Sequence, residues 1–306
     1  MRIAVLGLGA MGAIYAGLLA DAGLDVSGVD IWAEHVDAIR RDGLRISGAS
    51  GDRVIRVKAT ANFADVGKVD LVIISTKASG VVAAATSALE ILADDGAVLT
   101  IQNGLGSADR VAEVVGQHRV MIGVVGGFGA SVVKAGHVHH TGSEFVRLGE
   151  YNGGETDRLK QVAGLWQRGG FKVLTFPDIH KMVWEKFICN VAFSGTCAVL
   201  GFTIGEVLAD KDASAVSAAC ATEAWNVARA KKINIDIADP VAYTRAFGEK
   251  IANSRPSLLL DQIAKRRSEI DAINGAVPVE AARLGLEAPT NAAIASLIRA
   301  REATFG

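Results

Sequence analysis

Cysteine, excess charge of one sign and long apolar runs are all scarce in this sequence of 306 residues. The 32 Lys and Arg residues balance 33 Asp and Glu residues, so the net charge is −1. This balance provides no bulk attraction for nucleic acid or an anionic membrane, and it favours small-molecule chemistry. The three cysteines, Cys189, Cys197 and Cys220, leave one thiol over in any disulfide pairing and lack the spacing of a metal site. We therefore expect reduced core thiols in a cytoplasmic protein.

No segment reaches the apolar length that a membrane-spanning helix needs, which predicts a soluble protein. The apolar stretch after Arg2 resembles a secretion signal, but its three glycines and Asp21 fit a nucleotide-binding turn better. The histidines offer no metal or triad set. His137, His139 and His140 fall in a run that predicts an edge strand, with His139 and His140 on opposite faces. No carboxylates complete a zinc site there, so we expect no metal ion.

A glycine-rich turn lies between an apolar run, residues 3–6, and a helix-forming stretch, residues 13–22. The turn reads Gly7-Leu8-Gly9-Ala10-Met11-Gly12. In a dinucleotide site the first glycine permits the turn, the second lets the backbone approach the pyrophosphate and the third lets the helix pack close to the strand. The next apolar run ends in Asp30, 18 residues after Gly12, near the spacing of an acidic ribose ligand. This context predicts a dinucleotide site.

The sequence pattern changes once along the chain. Up to about residue 176, short β-branched runs alternate with helical patterns, which predicts a parallel sheet with crossover helices. The last three of these runs follow one another closely and predict antiparallel strands added to that sheet. Beyond residue 178, Ala, Leu, Ile, Glu and Lys recur with helical spacing. We expect an α/β chain with a Rossmann-type domain over 1–177 and an all-α domain over 178–306. The predicted strands are Arg2 to Leu6, Asp25 to Val29, Leu71 to Ser75, Ala97 to Ile101, Val120 to Val125, His137 to His140 and Phe145 to Leu148.

Polar side chains at two places are candidates for chemistry. Lys77 and Asn103 follow successive predicted strands, at the sheet edge where open α/β folds bind ligands. Lys186, Asn190 and Ser194 are spaced i, i+4 and i+8, which places them on one stripe of an otherwise apolar helix. A polar stripe there is costly unless something pairs with it, which favours a site over a solvent-exposed face. An ordinary solvated lysine and an Asn-Gly turn are the plainer interpretations of Lys77 and Asn103.

A further candidate segment begins at Ser254 and predicts one helix continuing through Gly275. Ser257 and Glu269 lie 12 residues apart on it, about 120° around an ideal helix, so they do not share a narrow stripe. Each also has a structural interpretation, because Ser257 could cap the helix and Glu269 could pair with nearby arginines.

Taken together, these motifs resemble the ketopantoate reductase (2-dehydropantoate 2-reductase) family over the whole chain. The resemblance rests on the glycine turn, Ser75-Thr76-Lys77, Gln102-Asn103-Gly104, Trp184-x-Lys186-x3-Asn190, Ser257-x3-Asp261, Glu269-Ile270-Asp271-x2-Asn274-Gly275 and Ala288-Pro289-Thr290-Asn291. It implies a Rossmann domain, a C-terminal domain like that of 6-phosphogluconate dehydrogenase, and NADPH-dependent reduction of 2-dehydropantoate to pantoate for coenzyme A synthesis.

The resemblance also implies residue roles. Lys186 is the expected general acid, and Glu269 is expected beside the cofactor and substrate. A protonated amine suits the reaction, since it stabilises and neutralises the alkoxide that forms at C2. The substrate residues expected are Asn103, Asn190, Ser194 and Ser257. The cofactor residues expected are Gly7, Leu8, Gly9, Ala10, Met11, Gly12, Asp30, Lys77, Asn103 and Ala130. The expected partner is a small 2-oxo acid, and a homodimer is the assembly considered.

Three positions depart from the family pattern. Ser194 stands where a second Asn is common and Ile204 where a polar residue is common, which affects contacts to the hydroxyl end of pantoate. Asp30 stands where members that prefer NADP tend to carry a basic residue. A carboxylate accepts hydrogen bonds from a free 2′-hydroxyl and repels a 2′-phosphate, so we expect NAD(H) rather than NADP(H).

Three alternatives remain at this point. The first is an NAD-dependent reductase of another branched or hydroxylated 2-oxo acid, which Ser194 and Ile204 favour. The second is a methyltransferase, which the glycine spacing and the helical half with Lys186 oppose. The third is a non-catalytic dinucleotide sensor, in which Lys186 would be dispensable.

Overall fold

The computed structural model describes residues 1–127, 129–142 and 145–305. The chain divides into two compact units, and we call residues 1–102 and 107–179 the N-terminal unit and residues 103–106 and 180–306 the helical unit. The domain boundary at 177/178 stays a prediction.

Strands and helices alternate through most of the N-terminal unit. Its strands are β1 (Arg2–Leu6), β2 (Asp25–Val29), β3 (Leu44–Gly48), β4 (Arg53–Ile55), β5 (Lys58–Thr60), β6 (Val69–Ile74), β7 (Leu92–Thr100), β8 (Val120–Gly126), β9 (Gly129–Lys134), β10 (His137–Gly142), β11 (Phe145–Glu150) and β12 (Lys172–Thr175). Its helices are α1 (Ala10–Asp21), α2 (Ala33–Asp42), α3 (Val81–Ile91), α4 (Ser107–Val115) and α5 (Asp157–Arg168).

Within the described residues, the larger sheet has eight strands in the order β12-β11-β8-β7-β6-β1-β2-β5. The six strands from β8 to β5 in that order are parallel neighbours, and β11 runs antiparallel to β8. The order reverses at β1, which lies between β6 and β2. A reversal of this kind opens a crevice at the carboxyl ends of the strands, where nucleotides bind in such folds.

A second sheet, in the order β4-β3-β10-β9, corrects two expectations. The strand with His137, His139 and His140 does not extend the main sheet, and it is not an edge strand, because it lies between β3 and β9. His140 is buried. His137 and His139 both contact Ser47, whose hydroxyl lies 2.9 Å from His137 Nε2 and 3.1 Å from His139 Nδ1. The error arose because β3 and β9, the two neighbours of β10, were not predicted.

Helix α1 is buried continuously from Gly12 to Leu19. A Cβ atom added at Gly17 would lie 2.5 Å from Ile46 Cδ1 of β3, so the second sheet packs directly on this helix. A helix covered on several sides is apolar all round, which explains the uninterrupted apolar stretch in the sequence.

The helical unit consists almost entirely of helices. They are α6 (Ile179–Leu200), α7 (Ile204–Ala209), α8 (Lys211–Ala230), α9 (Pro240–Lys250), α10 (Ser257–Ile263), α11 (Ala276–Ala282) and α12 (Pro289–Glu302). A parallel sheet followed by a helical region confirms the expected fold class. None of the helices in the described part of the chain is long and apolar enough to cross a membrane.

The expected single helix from Ser254 through Gly275 is wrong. Helix α10 ends at Ile263, and Lys265 follows with a φ of 50°. A left-handed residue directly after a helix ends it, and no glycine in the sequence signals that ending here. A short 3₁₀ turn, Ile270–Ala272, and then α11 follow, so the angular argument for Ser257 and Glu269 does not apply.

Candidate active site

The glycine turn between β1 and α1 has the backbone that its three glycines require. Gly7 has a φ of 93°, a conformation that L side chains rarely adopt. A Cβ atom at Gly12 would lie 1.9 Å from the Gly7 carbonyl oxygen and 2.3 Å from Ser75 Oγ. At Gly9, in contrast, an added Cβ would meet no described atom within 4 Å. The turn is therefore tight on its inner side and open over Gly9.

The start of α1 suits an anionic group. The helix has 12 residues, and its N-cap residue, Gly9, provides no side-chain cap. Backbone N–H groups at an uncapped helix start, together with the helix dipole, favour a phosphate. The open space over Gly9 and this helix start fit a dinucleotide pyrophosphate.

Asp30 lies against the same turn at the end of β2. One carboxylate oxygen accepts from the Leu8 N–H at 2.5 Å, and the other accepts from the Trp32 N–H at 2.8 Å. Residues 24–39 contain no Lys or Arg, and the next residue, Arg40, donates to the Ala59 carbonyl at 2.7 Å. The acidic group is thus fixed at the turn without a Lys or Arg in its own segment.

The ends of β6 and β7 are tied together by Gln102, a residue to which sequence reasoning gave no role. Its Nε2 donates to the Ile74 carbonyl at 2.7 Å and to the Thr76 carbonyl at 3.0 Å. Lys77 follows β6 at the N-cap of a short 3₁₀ turn. The last expected cofactor residue, Ala130, lies in β9 of the second sheet, opposite His140.

In the helical unit, Lys186 of α6 contacts Asn103. Lys186 Nζ donates to Asn103 Oδ1 at 2.7 Å. Gly104 has a φ of 84°, and a Cβ there would lie 2.2 Å from the Ala272 carbonyl oxygen. Leu105 N–H donates to that same oxygen at 2.9 Å. Only glycine permits this close approach, which places Asn103 against the ammonium group.

A cavity of about 140 Å³ lies within the helical unit, and of this pair only Asn103 is among its described lining residues. It brings together the four expected substrate residues Asn103, Asn190, Ser194 and Ser257. The other lining residues are Cys189, Phe193, Ile204, Phe247, Ile251, Ser254, Pro256 and Ile273. The described lining does not include Glu269. Sequence reasoning missed the contributions of α9 and of Ile273, because long-range packing brings these segments to the cavity and leaves no local motif.

Comparison with known proteins identifies the family. Sequence models of the ketopantoate reductase PanE/ApbA family match residues 3–153 and, for the C-terminal part, residues 178–302. The chain belongs to the ketopantoate reductase family. The 2-dehydropantoate 2-reductase of Pyrococcus horikoshii is 30% identical over 306 residues, which cover 100% of this chain and 99% of that relative.

Solved structures agree with this membership. The ketopantoate reductase of Ralstonia eutropha has a TM-score of 0.90 and 29% identity, with 99% of both chains covered. A D-mandelate dehydrogenase in ternary complex with NADH and anilino(oxo)acetate has a TM-score of 0.91 and 27% identity, covering 100% of this chain and 99% of that one. This family member is therefore an oxidoreductase, and the likeness extends to enzymes named for different substrates.

In this ketopantoate reductase family member, α12 holds the segment that carries Glu269. Glu302 accepts from Ser268 N–H at 2.9 Å and from Gln262 Nε2 at 2.6 Å. Arg299 Nε donates to Asp271 at 2.6 Å. These contacts lie on both sides of Glu269 and restrict its backbone.

A buried amide pair holds the end of the same segment. Asn274 Nδ2 donates to the Val191 carbonyl of α6 at 2.9 Å and to Asn291 Oδ1 of α12 at 2.9 Å. Both asparagines are fully buried. Through the two bonds that Asn274 Nδ2 donates, this pair connects α6 to α12.

The three cysteines are free and buried. Burial raises the pKa of each thiol, Cys189, Cys197 and Cys220, to about 12. Although Cys189 lines the cavity, a thiol with so high a pKa is not a nucleophile near neutral pH.

Proposed function

We propose that this protein reduces a 2-oxo acid to the 2-hydroxy acid with a nicotinamide dinucleotide, 2-dehydropantoate to pantoate being the reaction that its family predicts. The observation that carries the proposal is the Lys186–Asn103 hydrogen bond beside a cavity lined by Asn190, Ser194 and Ser257. An oriented ammonium next to neutral hydrogen-bond donors is the arrangement that carbonyl reduction requires.

Lys186 is the proposed general acid. A bound, reduced nicotinamide supplies the hydride for C2 of the substrate. The negative charge that develops on the C2 oxygen is stabilised by the Lys186 ammonium, which then donates one proton to it and regains one from water. Because Asn103 Oδ1 accepts from Lys186, Asn103 fixes the direction of the ammonium. The net change is a ketone, a hydride and a proton converted to a secondary alcohol.

Glu269 is proposed to support this acid rather than to transfer the proton. A carboxylate near an ammonium favours its charged form and so keeps the proton available. The contacts of Glu302 and Arg299 on either side of Glu269 supply a fixed backbone for that role.

For the cofactor, we propose that the 7–12 turn holds the pyrophosphate and that Lys77, Asn103 and Ala130 contribute further contacts. We propose NAD(H) rather than NADP(H), because Asp30 is fixed at the turn and residues 24–39 provide no cation for a 2′-phosphate. Two like unit charges about 4 Å apart repel by about 4 kcal/mol at a protein surface.

Oxidation of NADH and of NADPH by the purified protein tests the proposal, with 2-dehydropantoate and a panel of other 2-oxo acids. We expect turnover with NADH and at least one 2-oxo acid, and slower turnover with NADPH. A clear preference for NADPH would contradict the assignment of Asp30. Absence of turnover with every acid and both nucleotides would contradict the proposed activity.

A further inference from the structure

We infer that the cavity selects 2-oxo acids whose side chain is a branched alkyl or phenyl group that carries no hydroxyl. This inference rests on the proposed function, and it names the substrate class that the lining of the cavity fits.

The polar lining is matched by the 2-oxo acid group itself. The described lining residues include no Lys, Arg or His, so neutral donors must satisfy the substrate carboxylate. A carboxylate has about four acceptor positions. Asn190, Ser194, Ser254 and Ser257 supply four donor side chains, while Lys186 and Asn103 serve the C2 oxygen. The carboxylate and the C2 oxygen alone can therefore engage all of these polar side chains.

The remainder of the lining is apolar. It consists of Phe193, Ile204, Phe247, Ile251 and Ile273, together with Cys189 and Pro256. Phe193, Ile204 and Ile273 are all nearly fully buried. A hydrocarbon side chain is stabilised when it leaves water and packs against this wall. A hydroxyl placed against the same wall loses its hydrogen bonds to water and finds no partner there.

Two residues of the wall, Phe193 and Ile204, are supported by close packing behind them. A Cβ atom added at Gly248 of α9 would lie 2.7 Å from Phe193 Cζ and 3.1 Å from Ile204 Cγ2, so the α9 backbone packs directly behind both side chains. The Thr203 capping box also fixes the start of α7, where Ile204 is the first residue. The apolar surface is thus held in place from two sides.

The size of the cavity limits the side chain. An apolar cavity of about 150 Å³ accommodates one benzene molecule. The side chain shares the volume of about 140 Å³ with the 2-oxo acid group, so the cavity suits at most one ring or one branched alkyl group and is too small for a fused ring system.

Two substrates that differ only by the hydroxyl test this inference: 2-dehydropantoate and 3,3-dimethyl-2-oxobutanoate. We expect kcat/KM to be about tenfold to 100-fold higher for the hydroxyl-free acid, the range by which an apolar pocket rejects an added hydroxyl. A site built to bind the hydroxyl would instead favour 2-dehydropantoate by about 10⁴-fold. A preference of less than about threefold for the hydroxyl-free acid, or any reverse preference, would overturn the inference.

Ile204 allows a matched pair of variants, because Thr and Val have the same shape and differ in polarity. Both Ile204→Val and Ile204→Thr shorten the side chain, so Ile204→Val is the control for lost volume. We expect Ile204→Thr to shift the kcat/KM ratio toward 2-dehydropantoate by about threefold to tenfold relative to Ile204→Val. Equal ratios in the two variants would show that this wall does not determine the preference.

Binding of the products separates this inference from the proposed activity. Pantoate and 2-hydroxy-3,3-dimethylbutanoate are titrated calorimetrically into the protein with NADH, and we expect tighter binding of the hydroxyl-free acid. If that preference holds but neither 2-oxo acid is reduced, the proposed activity fails and the selectivity stands. If 2-dehydropantoate is reduced and preferred in both measurements, the activity stands and the selectivity fails.

Discussion

The N-terminal unit and the helical unit form their candidate sites in different ways. The glycine turn, the start of α1 and Asp30 lie within 24 consecutive residues, and the turn presents mostly backbone. The cavity of the helical unit is lined by side chains from residue 103, α6, α7, α9, the 254–257 segment and residue 273. The first site depends on local backbone geometry, whereas the second depends on the packing of distant segments.

This difference predicts how each site responds to substitution. A contiguous backbone site fails when one residue cannot adopt its conformation, because no side chain can compensate. An assembled site loses one contact at a time, so single substitutions should change its rate or selectivity while the fold persists.

The largest effect is expected from Gly12→Ala in the backbone site. The added Cβ would overlap the Gly7 carbonyl oxygen at 1.9 Å, and overlaps of this kind cost more than the roughly 1–3 kcal/mol of ordinary overpacking. We expect urea denaturation to show that the free energy of unfolding falls by more than about 3 kcal/mol, or that the variant does not fold.

Gly9→Ala is the matched control, because its Cβ meets no described atom within 4 Å. It should leave stability unchanged and weaken NADH binding by about tenfold, equivalent to ~1.4 kcal/mol, because its methyl group occupies the space over the turn. Equal stability of Gly12→Ala and the wild type would refute this account of the turn.

The sequence was informative where structure is local. Strands β1 and β2 have the predicted bounds, and the stripe of Lys186, Asn190 and Ser194 lies within one helix as predicted. The second sheet was missed because β3 and β9 become a sheet only by pairing with β10, far away in sequence. Phe247 and Ile273 were missed for the same reason. The roles of the site residues stay predictions.

In the assembled site, Lys186→Ala should lower kcat by about 10²-fold or more, the usual scale for losing a general acid. The fold should persist, because Lys186 is only partly buried and its ammonium donates to the Asn103 side chain rather than packing in the core. Lys181→Ala is the control on the same helix, where the lysine pairs with Asp236 instead. A fall of less than about threefold in Lys186→Ala would remove the proposed acid and favour a dinucleotide sensor.

Asp30 tests whether a side chain adds specificity to the backbone site. Asp30→Asn removes the negative charge at nearly constant shape, so we expect the NADH-over-NADPH preference in kcat/KM to fall by about tenfold, or ~1.4 kcal/mol. Asp37→Asn removes an equal charge from an exposed position of α2 and serves as the control. If both variants shift the preference equally, the effect is one of net charge and not of the position of Asp30.

The smallest effect concerns acid stability and should be confined to the N-terminal unit. His35 is fully buried, and its Nδ1 accepts the Gly136 N–H at 3.0 Å, which requires that nitrogen to be unprotonated. Burial lowers the pKa of His35, although the Asp30 charge opposes this shift. The unfolded chain therefore binds a proton below pH ~6.5 that the folded chain does not. The free energy of unfolding then falls, as the pH is lowered, by up to about 1.4 kcal/mol per pH unit.

Urea denaturation at pH 7 and 5.5 should show this loss in the wild type and less of it in His35→Gln, whose side-chain oxygen can accept the same N–H without titrating. Hydrogen exchange should locate the loss at α2 and the turn before β10, and identical pH dependence in wild type and variant would contradict the role of His35.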